Sequence, residues 1–265
     1  MYAFEYARPA SLAETEKLLA DCPDAKLLAG GQSLIPALKL RLNRVPLLID
    51  LGGLSGMNRI ERRDNSLAIG AMATHAEVGG SDVVKSAIPA LALLAEGIGD
   101  PQVRNRGTIG GSLAHNDPAA DYPAAALALG ATLKTNRRDI AADNHFSGLF
   151  AGFADDEILI EVIFPIPQRF AYAKFPNPAS RFALVGAAVA QTGAGVRVVA
   201  TGASANGVFR VTELEAALSS SFRTEGLRNI QIDSSNLASD IHGDAEYRAH
   251  LVGVMTKRAV DNCLG

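Results

Sequence analysis

Two pairs of glycines, each followed closely by serine and leucine, are the residues of this chain best suited to binding an anion. Gly30 and Gly31 lie in the first glycine turn, residues 29–34 (AGGQSL), and Gly110 and Gly111 lie in the second, residues 108–113 (TIGGSL). Paired glycines let the backbone adopt positive φ and point several N–H groups in one direction. A helix that follows adds unpaired N–H groups and the positive end of its dipole. The two turns therefore predict a site for two neighbouring phosphates, with the Ser33 hydroxyl as a further donor.

Spacing alone leaves another interpretation of these turns open. Neither turn matches the GxGxxG dinucleotide fingerprint, and neither is followed by the Lys-Ser/Thr pair of a P-loop. A Rossmann domain or an ATP-hydrolysing domain is therefore not supported. In a chain with 25 glycines, a Gly-Gly pair is also an ordinary turn that binds nothing.

The elements that must position the first turn form a small α/β lobe that ends near residue 54. Ser11, with Glu14 three residues later, predicts a capped amphipathic helix over residues 11–20. Short buried strands are predicted over residues 25–29 and 47–51, and a helix is predicted from Gln32 onward. The first turn thus connects a strand to a helix N-terminus.

The second turn lies in a long polar and glycine-rich segment, residues 100–122, in which no periodicity predicts a helix or a strand. Such long irregular segments are more often functional than incidental. Before it we predict a strand over residues 67–71, a helix capped by Thr74 and a buried helix over residues 88–98. After it we predict a helix over residues 123–129 and strands over residues 131–133 and 158–164.

Pro165 and Pro167 mark a predicted domain boundary. Beyond them, residues 182–191 and 196–201 alternate with turn residues, as in an antiparallel meander, and residues 212–219 and 246–259 have helical patterns. The chain is therefore expected to have an α+β fold with a second, smaller domain.

Composition excludes several classes of protein. The net charge is −3 with no basic stripe, which argues against nucleic acid as a partner. No stretch approaches the roughly 18 uninterrupted apolar residues of a membrane span, and the N-terminus lacks the features of a secretory signal. We expect a cytoplasmic protein, with export in complex with another subunit as the alternative left open. Cys22 and Cys263 cannot hold an iron–sulfur cluster, which typically needs about four thiolates. No metal site is expected either, because the histidines are scattered.

The stretch from Gly97 to Pro123 (GIGDPQVRNRGTIGGSLAHNDPAADYP) resembles the FAD-binding medium subunits of molybdenum hydroxylases, and so does the stretch from Ala29 to Pro36 (AGGQSLIP). These are proteins of the carbon monoxide dehydrogenase, quinoline oxidoreductase and nicotine dehydrogenase type, in the xanthine dehydrogenase superfamily. The resemblance covers nearly the whole chain, including the segment from Tyr172 to Phe175 (YAKF). The central motif is long and specific.

The resemblance implies a two-lobed FAD-binding domain over residues 1–168, with lobes of about 1–54 and 55–168. A C-terminal domain with an antiparallel sheet and helices would occupy residues 169–265. It also implies partners: a large subunit with a molybdopterin cofactor and a small [2Fe-2S] subunit, in a heterotrimer that dimerises. Electrons would pass from the [2Fe-2S] subunit through FAD to an external acceptor, and this chain would hold no catalytic residue. A stand-alone flavin oxidase or dehydrogenase and a scaffold that has lost FAD are the alternatives.

The resemblance also implies which residues bind the cofactor. Asp121 would hydrogen-bond the ribityl or ribose side, Leu159 would pack against the ring system, and Lys174 would lie near the flavin. The pyrophosphate would be bound, mostly through backbone N–H groups, by the residues of the two turns: Ala29, Gly30, Gly31, Gln32, Ser33, Leu34, Thr108, Ile109, Gly110, Gly111 and Ser112.

The resemblance does not fix the roles of several further residues in the matching segments. Ile98 is an apolar candidate for the same pocket, and Thr74 and His75 are candidates for cofactor contact. Arg104 and Arg106 would contact phosphates, a partner subunit or solvent. Some distant FAD-binding relatives attach the flavin covalently through histidine, but position 32 is Gln here, so we expect non-covalent FAD. The cysteine-bearing loop of the 4-hydroxybenzoyl-CoA reductase subunit is also absent.

Overall fold

The computed structural model describes residues 1–146 and 152–265, and the strands in these ranges form three sheets. The three-stranded sheet has the order β1-β3-β2, the five-stranded sheet β4-β5-β8-β6-β7 and the four-stranded sheet β12-β11-β10-β9. The strands are β1 (Glu5–Ala7), β2 (Lys26–Leu28), β3 (Leu47–Asp50), β4 (Ile60–Arg63), β5 (Ser66–Gly70), β6 (Thr132–Thr135), β7 (Asp139–Ala141), β8 (Leu159–Pro165), β9 (Arg169–Pro176), β10 (Ala183–Thr192), β11 (Gly195–Thr201) and β12 (Phe209–Arg210).

The described residues also form eleven α-helices. They are α1 (Leu12–Asp21), α2 (Leu34–Lys39), α3 (His75–Gly80), α4 (Asp82–Ala87), α5 (Pro89–Glu96), α6 (Pro101–Arg104), α7 (Ile109–His115), α8 (Asp121–Leu129), α9 (Ala142–His145), α10 (Thr212–Ser220) and α11 (Ala245–Leu264). None of these helices has the length and apolar character that crossing a membrane would require.

The first lobe is a small parallel sheet, because β3 pairs in parallel with both β1 and β2. Ser11 caps α1 by accepting a hydrogen bond from the backbone N–H of Glu14, as its spacing predicts. Ile49 of β3 and Leu19 of α1 are buried against each other in a separate small core. This lobe therefore places the end of β2, and with it the first turn, at the edge of the sheet.

The second lobe is built on an antiparallel sheet whose central strand is β8. Leu67, Ile69 and Phe164 are fully buried in the largest core of the chain. Burial of each such side chain stabilises the fold by about 1.5–3 kcal/mol. Helices α3, α5, α7 and α8 pack on this core, and α7 contains Gly110 and Gly111 of the second turn.

The C-terminal domain shares a boundary with that core through β10, whose residues from Ala183 to Ala190 are all buried. Ala188 and Ala190 face the large core beneath α8, whereas Val185, Ala187 and Val189 face the C-terminal core beneath α11. A strand covered on both faces reads as a continuous apolar run, which is why β10 shows no alternation in the sequence.

The prediction of an irregular segment over residues 100–122 is wrong. This segment contains α6 and α7, and Asp121 and Tyr122 open α8. Asp100 and Thr108 cap α6 and α7 by accepting hydrogen bonds from Val103 N and Gly111 N. Helices of four and seven residues contain too few turns for an apolar periodicity to show.

Candidate functional site

The first glycine turn presents backbone donors that have no acceptor in the part of the chain that the structure describes. Gly31 has a φ of +73°, and the chain then enters α2 at Leu34. None of the backbone N–H groups of residues 30–34 donates a hydrogen bond to a described residue. Unpaired N–H groups that point into one concavity are suited to binding an anion.

The two turns touch each other. A Cβ atom on Gly30 would lie 2.2 Å from the carbonyl oxygen of Arg106 and 2.6 Å from Cα of Gly107, so only glycine fits there. A Cβ atom on Gly111 would lie 3.6 Å from Cβ of Ala29. The sequence predicted that both turns hold one ligand, and the structure brings them into direct contact.

The backbone of the second turn is engaged with the protein itself, which corrects the expectation of two equivalent turns. Ile109 N donates to Ala73 O at 3.0 Å, and Gly110 N donates to Ala71 O at 2.9 Å. Gly110 does not have a positive φ. It is glycine because a Cβ would lie 2.5 Å from Cβ of Ala71. The second turn therefore faces the first with small residues and hydroxyls, not with free N–H groups.

A cleft of about 710 Å³ opens where the turns meet, within the range of about 300–1,000 Å³ that is typical of cofactor sites. All of the predicted cofactor-binding residues line it except Ile109 and Lys174. Ile109 is fully buried in the core, so its predicted contact with the ligand is not supported. Thr74 does not line the cleft, whereas Ile98 and His75 do.

Asp121 forms a buried ionic cluster at this cleft. Its Oδ1 atom lies 3.0 Å from Nζ of Lys174 and accepts a hydrogen bond of 2.5 Å from the phenol of Tyr172. Burial raises the pKa of Asp121, while Lys174 and Tyr172 oppose that rise. Lys174 also donates to Gly97 O at 2.9 Å. Its charge is therefore shared between the Asp121 carboxylate and the Gly97 carbonyl.

The turn formed by Gly97, Ile98 and Gly99 is held by cationic side chains from both domains. Lys174 donates to the first carbonyl, Arg104 donates to the second and third at 3.0 and 3.1 Å, and Arg181 donates to the third at 3.3 Å. Arg104 is thus occupied in holding this turn. This turn also places the Ile98 side chain at the cleft.

His75 is a functional candidate that the sequence pattern left undecided. Burial, together with the charge of Arg104, lowers its pKa to about 4, so the ring is neutral near pH 7. Its Nδ1 atom has no hydrogen-bond partner among the described residues, and its ring lies 5.4 Å from that of Tyr122. A Cβ on Gly107 would lie 2.6 Å from Nε2 of His75, which explains the glycine at that position.

The residues of the cleft fit FAD. The free N–H groups of the first turn suit a pyrophosphate, Asp121 offers a carboxylate oxygen to a sugar hydroxyl, and Leu159 with Ile98 supplies apolar surface. Within residues 1–146 and 152–265, no group of three or more His, Cys, Asp or Glu side chains is arranged to hold a metal ion.

Comparison with known proteins identifies the domains. Residues 2–167 match the model for the FAD binding domain in molybdopterin dehydrogenase, and residues 170–263 match the CO dehydrogenase flavoprotein C-terminal domain. The nicotine 6-hydroxylase medium subunit of Paenarthrobacter nicotinovorans is 36% identical, over 97% of this chain and 96% of the relative. The carbon monoxide dehydrogenase medium chain of Hydrogenophaga pseudoflava is 34% identical over the same shares.

Solved structures agree with these sequence relatives. Reconstituted CO dehydrogenase from Oligotropha carboxidovorans superposes with a TM-score of 0.91 at 32% identity, covering 99% of this chain and 98% of that chain. Quinoline 2-oxidoreductase from Pseudomonas putida 86 superposes with a TM-score of 0.88 at 31% identity, covering 99% and 97%. The protein described here belongs to the family of FAD-binding medium subunits of molybdenum hydroxylase-type complexes.

Proposed function

We propose that this chain binds FAD non-covalently in the cleft between the two glycine turns and passes electrons from a [2Fe-2S] subunit to an external acceptor. The observation that carries the proposal is the row of N–H groups at residues 30–34, which donate to none of the described residues and lie opposite Gly111 and Ser112. When bound, FAD supplies the ability to accept and release electrons, and the protein binds and orients it.

Each part of the cleft then has a distinct task. The first turn binds the pyrophosphate through its N–H groups, and the Ser33 and Ser112 hydroxyls are additional donors on either side. Asp121 accepts a hydrogen bond from a sugar hydroxyl, and Leu159 and Ile98 pack against the ring system. Lys174 acts through Asp121 and the Gly97 carbonyl, which it holds together.

We further propose the assembly that goes with this role: a large molybdenum subunit with a molybdopterin cofactor and a small [2Fe-2S] subunit, as a heterotrimer that dimerises in the cytoplasm. The names of the relatives as medium subunits or medium chains support such an assembly. We place the domain boundary at residues 168 and 169, between the two matched family models.

Co-purification tests this proposal. The full chain, tagged and isolated under native conditions, is expected to carry about one FAD and to bring down two other chains, identified by mass spectrometry. Heat or acid is expected to release the FAD, because binding is non-covalent. Flavin that stays attached to the denatured chain would disprove that part. A yellow chain that oxidises a substrate without any partner would favour the stand-alone flavin enzyme instead.

A further inference from the structure

The two carboxylate oxygens of Asp121 have different surroundings. Oδ1 accepts the phenol of Tyr172 at 2.5 Å and lies 3.0 Å from Nζ of Lys174. Among residues 1–146 and 152–265, the one contact of Oδ2 is the longer one with Nζ of Lys174, at 3.2 Å. Asp121 lines the cleft, although its side chain is only 5% exposed. Oδ2 is therefore the oxygen with spare capacity to accept a hydrogen bond from a ligand.

The fold makes special provision for the Tyr172 phenol. Tyr172 lies on β9, which pairs with β10, and Gly186 of β10 leaves the space that the phenol oxygen occupies. A Cβ on Gly186 would lie 2.3 Å from that oxygen. Burial raises the pKa of Tyr172 well above its usual value, so the phenol keeps its proton and remains a donor.

We propose that Tyr172 is a positioning residue of the cofactor site: its phenol fixes Asp121 through Oδ1, so that Oδ2 accepts a hydrogen bond from a hydroxyl of the sugar or sugar-alcohol chain of FAD. This inference rests on the proposed binding of FAD. It assigns a role in the cofactor site to a C-terminal-domain residue that does not line the cleft. A carboxylate held by a phenol and an ammonium group cannot rotate freely, so ligand binding does not have to order it.

The test compares two conservative deletions of a buried hydroxyl. Tyr172→Phe removes the donor to Asp121, whereas Tyr122→Phe removes a phenol that has no hydrogen-bond partner among the described residues. FAD affinity is measured by fluorescence titration of the deflavinated full-length chain. We expect Tyr172→Phe to weaken binding about tenfold, as loss of a hydrogen bond to a charged group does, and Tyr122→Phe to change it less than about twofold.

A double-mutant cycle shows whether Tyr172 acts through Asp121. In an Asp121→Ala background, Tyr172→Phe is expected to cause no further loss of FAD affinity, because the acceptor is already gone.

The pH dependence of FAD binding gives a second readout. In the Tyr172→Phe single variant, Asp121 loses one of the hydrogen bonds that lower its pKa. Affinity for FAD should therefore fall at a higher pH on acidification than it does in the parent chain.

Gly186→Ala provides a second way to break the hydrogen bond between Tyr172 and Asp121 if Tyr172→Phe does not fold. The added methyl group pushes the phenol away from Oδ1, and weaker FAD binding is again expected. Equal affinities for Tyr172→Phe and Tyr122→Phe would overturn the inference, as would an undiminished effect of Tyr172→Phe in the Asp121→Ala background. Failure of the parent chain itself to bind FAD would overturn the proposed function as well, which separates the two conclusions.

Discussion

His75 is a titratable side chain that the fold holds in its neutral form. Its pKa is about 4 in the folded chain, against a usual value of 6.5, because its ring is buried beside Gly107 and Tyr122. The unfolded chain therefore binds more protons than the folded chain as the pH falls from about 6.5 to 4. The free energy of unfolding is therefore expected to decrease as the pH falls through that range.

His75→Gln is expected to remove this part of the pH dependence. The difference in free energy of unfolding between pH 7 and pH 5 should shrink by roughly 2 kcal/mol relative to the parent chain. Urea denaturation at the two pH values measures it. His250→Gln, at an exposed position of α11, serves as the control and should leave the difference unchanged. A parent-like difference in the His75 variant would show that His75 is not the group responsible.

At the scale of elements, the second turn is positioned by the chain that follows β5. Residues 71–75 pair with residues 107–110 through backbone hydrogen bonds and a bridge between Thr74 and Thr108. Gly110, at the start of α7, permits this close approach because it has no Cβ atom. A Cβ atom at this position would collide with Ala71. The requirement is one of space, since Gly110 has no positive φ.

Gly110→Ala is therefore expected to destabilise the chain by about 1–3 kcal/mol, as overpacking does, and to lower the FAD content. Gly80→Ala at the end of α3 is the matched control, because a Cβ there meets nothing within 4 Å. Thermal unfolding and the flavin absorbance of the purified chain report the two effects. Equal melting temperatures for the two variants would disprove the steric account of Gly110.

These same elements show what could and could not be predicted from the sequence. The first turn was predicted together with its strand and helix, because local pattern and local structure coincide there. The hydrogen bonding of the second turn was not predictable from local sequence. The N–H groups of Ile109 and Gly110 donate to the carbonyl oxygens of Ala73 and Ala71, which lie more than 30 residues earlier in the chain. Strand β9, with Tyr172, was also missed, because its side chains are mostly half-buried and show no alternation.

At the scale of the whole molecule, the C-terminal domain holds the segment that leads to Asp121. Thr201 at the end of β11 donates to Ala120 O at 2.7 Å and to Pro118 O at 3.1 Å. Gly202 N also donates to Pro118 O, at 2.8 Å. The start of α8, and therefore the position of Asp121, depends on contacts between the two domains.

Thr201→Val removes the hydroxyl that donates to both Ala120 O and Pro118 O, while it keeps the shape of the side chain. We expect a loss of about 1 kcal/mol in stability and a severalfold weaker affinity for FAD. Thr256→Val removes a comparable buried donor, to Val252 O at 2.8 Å within α11, and should cost similar stability without changing FAD affinity. If both variants bind FAD equally well, the domain contact does not shape the cofactor site.

The difference between the two turns has a consequence for the chain before it acquires its cofactor. The amide protons of Ile109 and Gly110 are already protected by Ala73 and Ala71, so their hydrogen exchange should be slow with or without FAD. Those of residues 30–34 have no acceptor within residues 1–146 and 152–265, and their exchange should slow sharply only when FAD binds. One side of the cleft is thus finished during folding and the other is completed by the ligand, which makes exchange at the first turn a direct measure of cofactor occupancy.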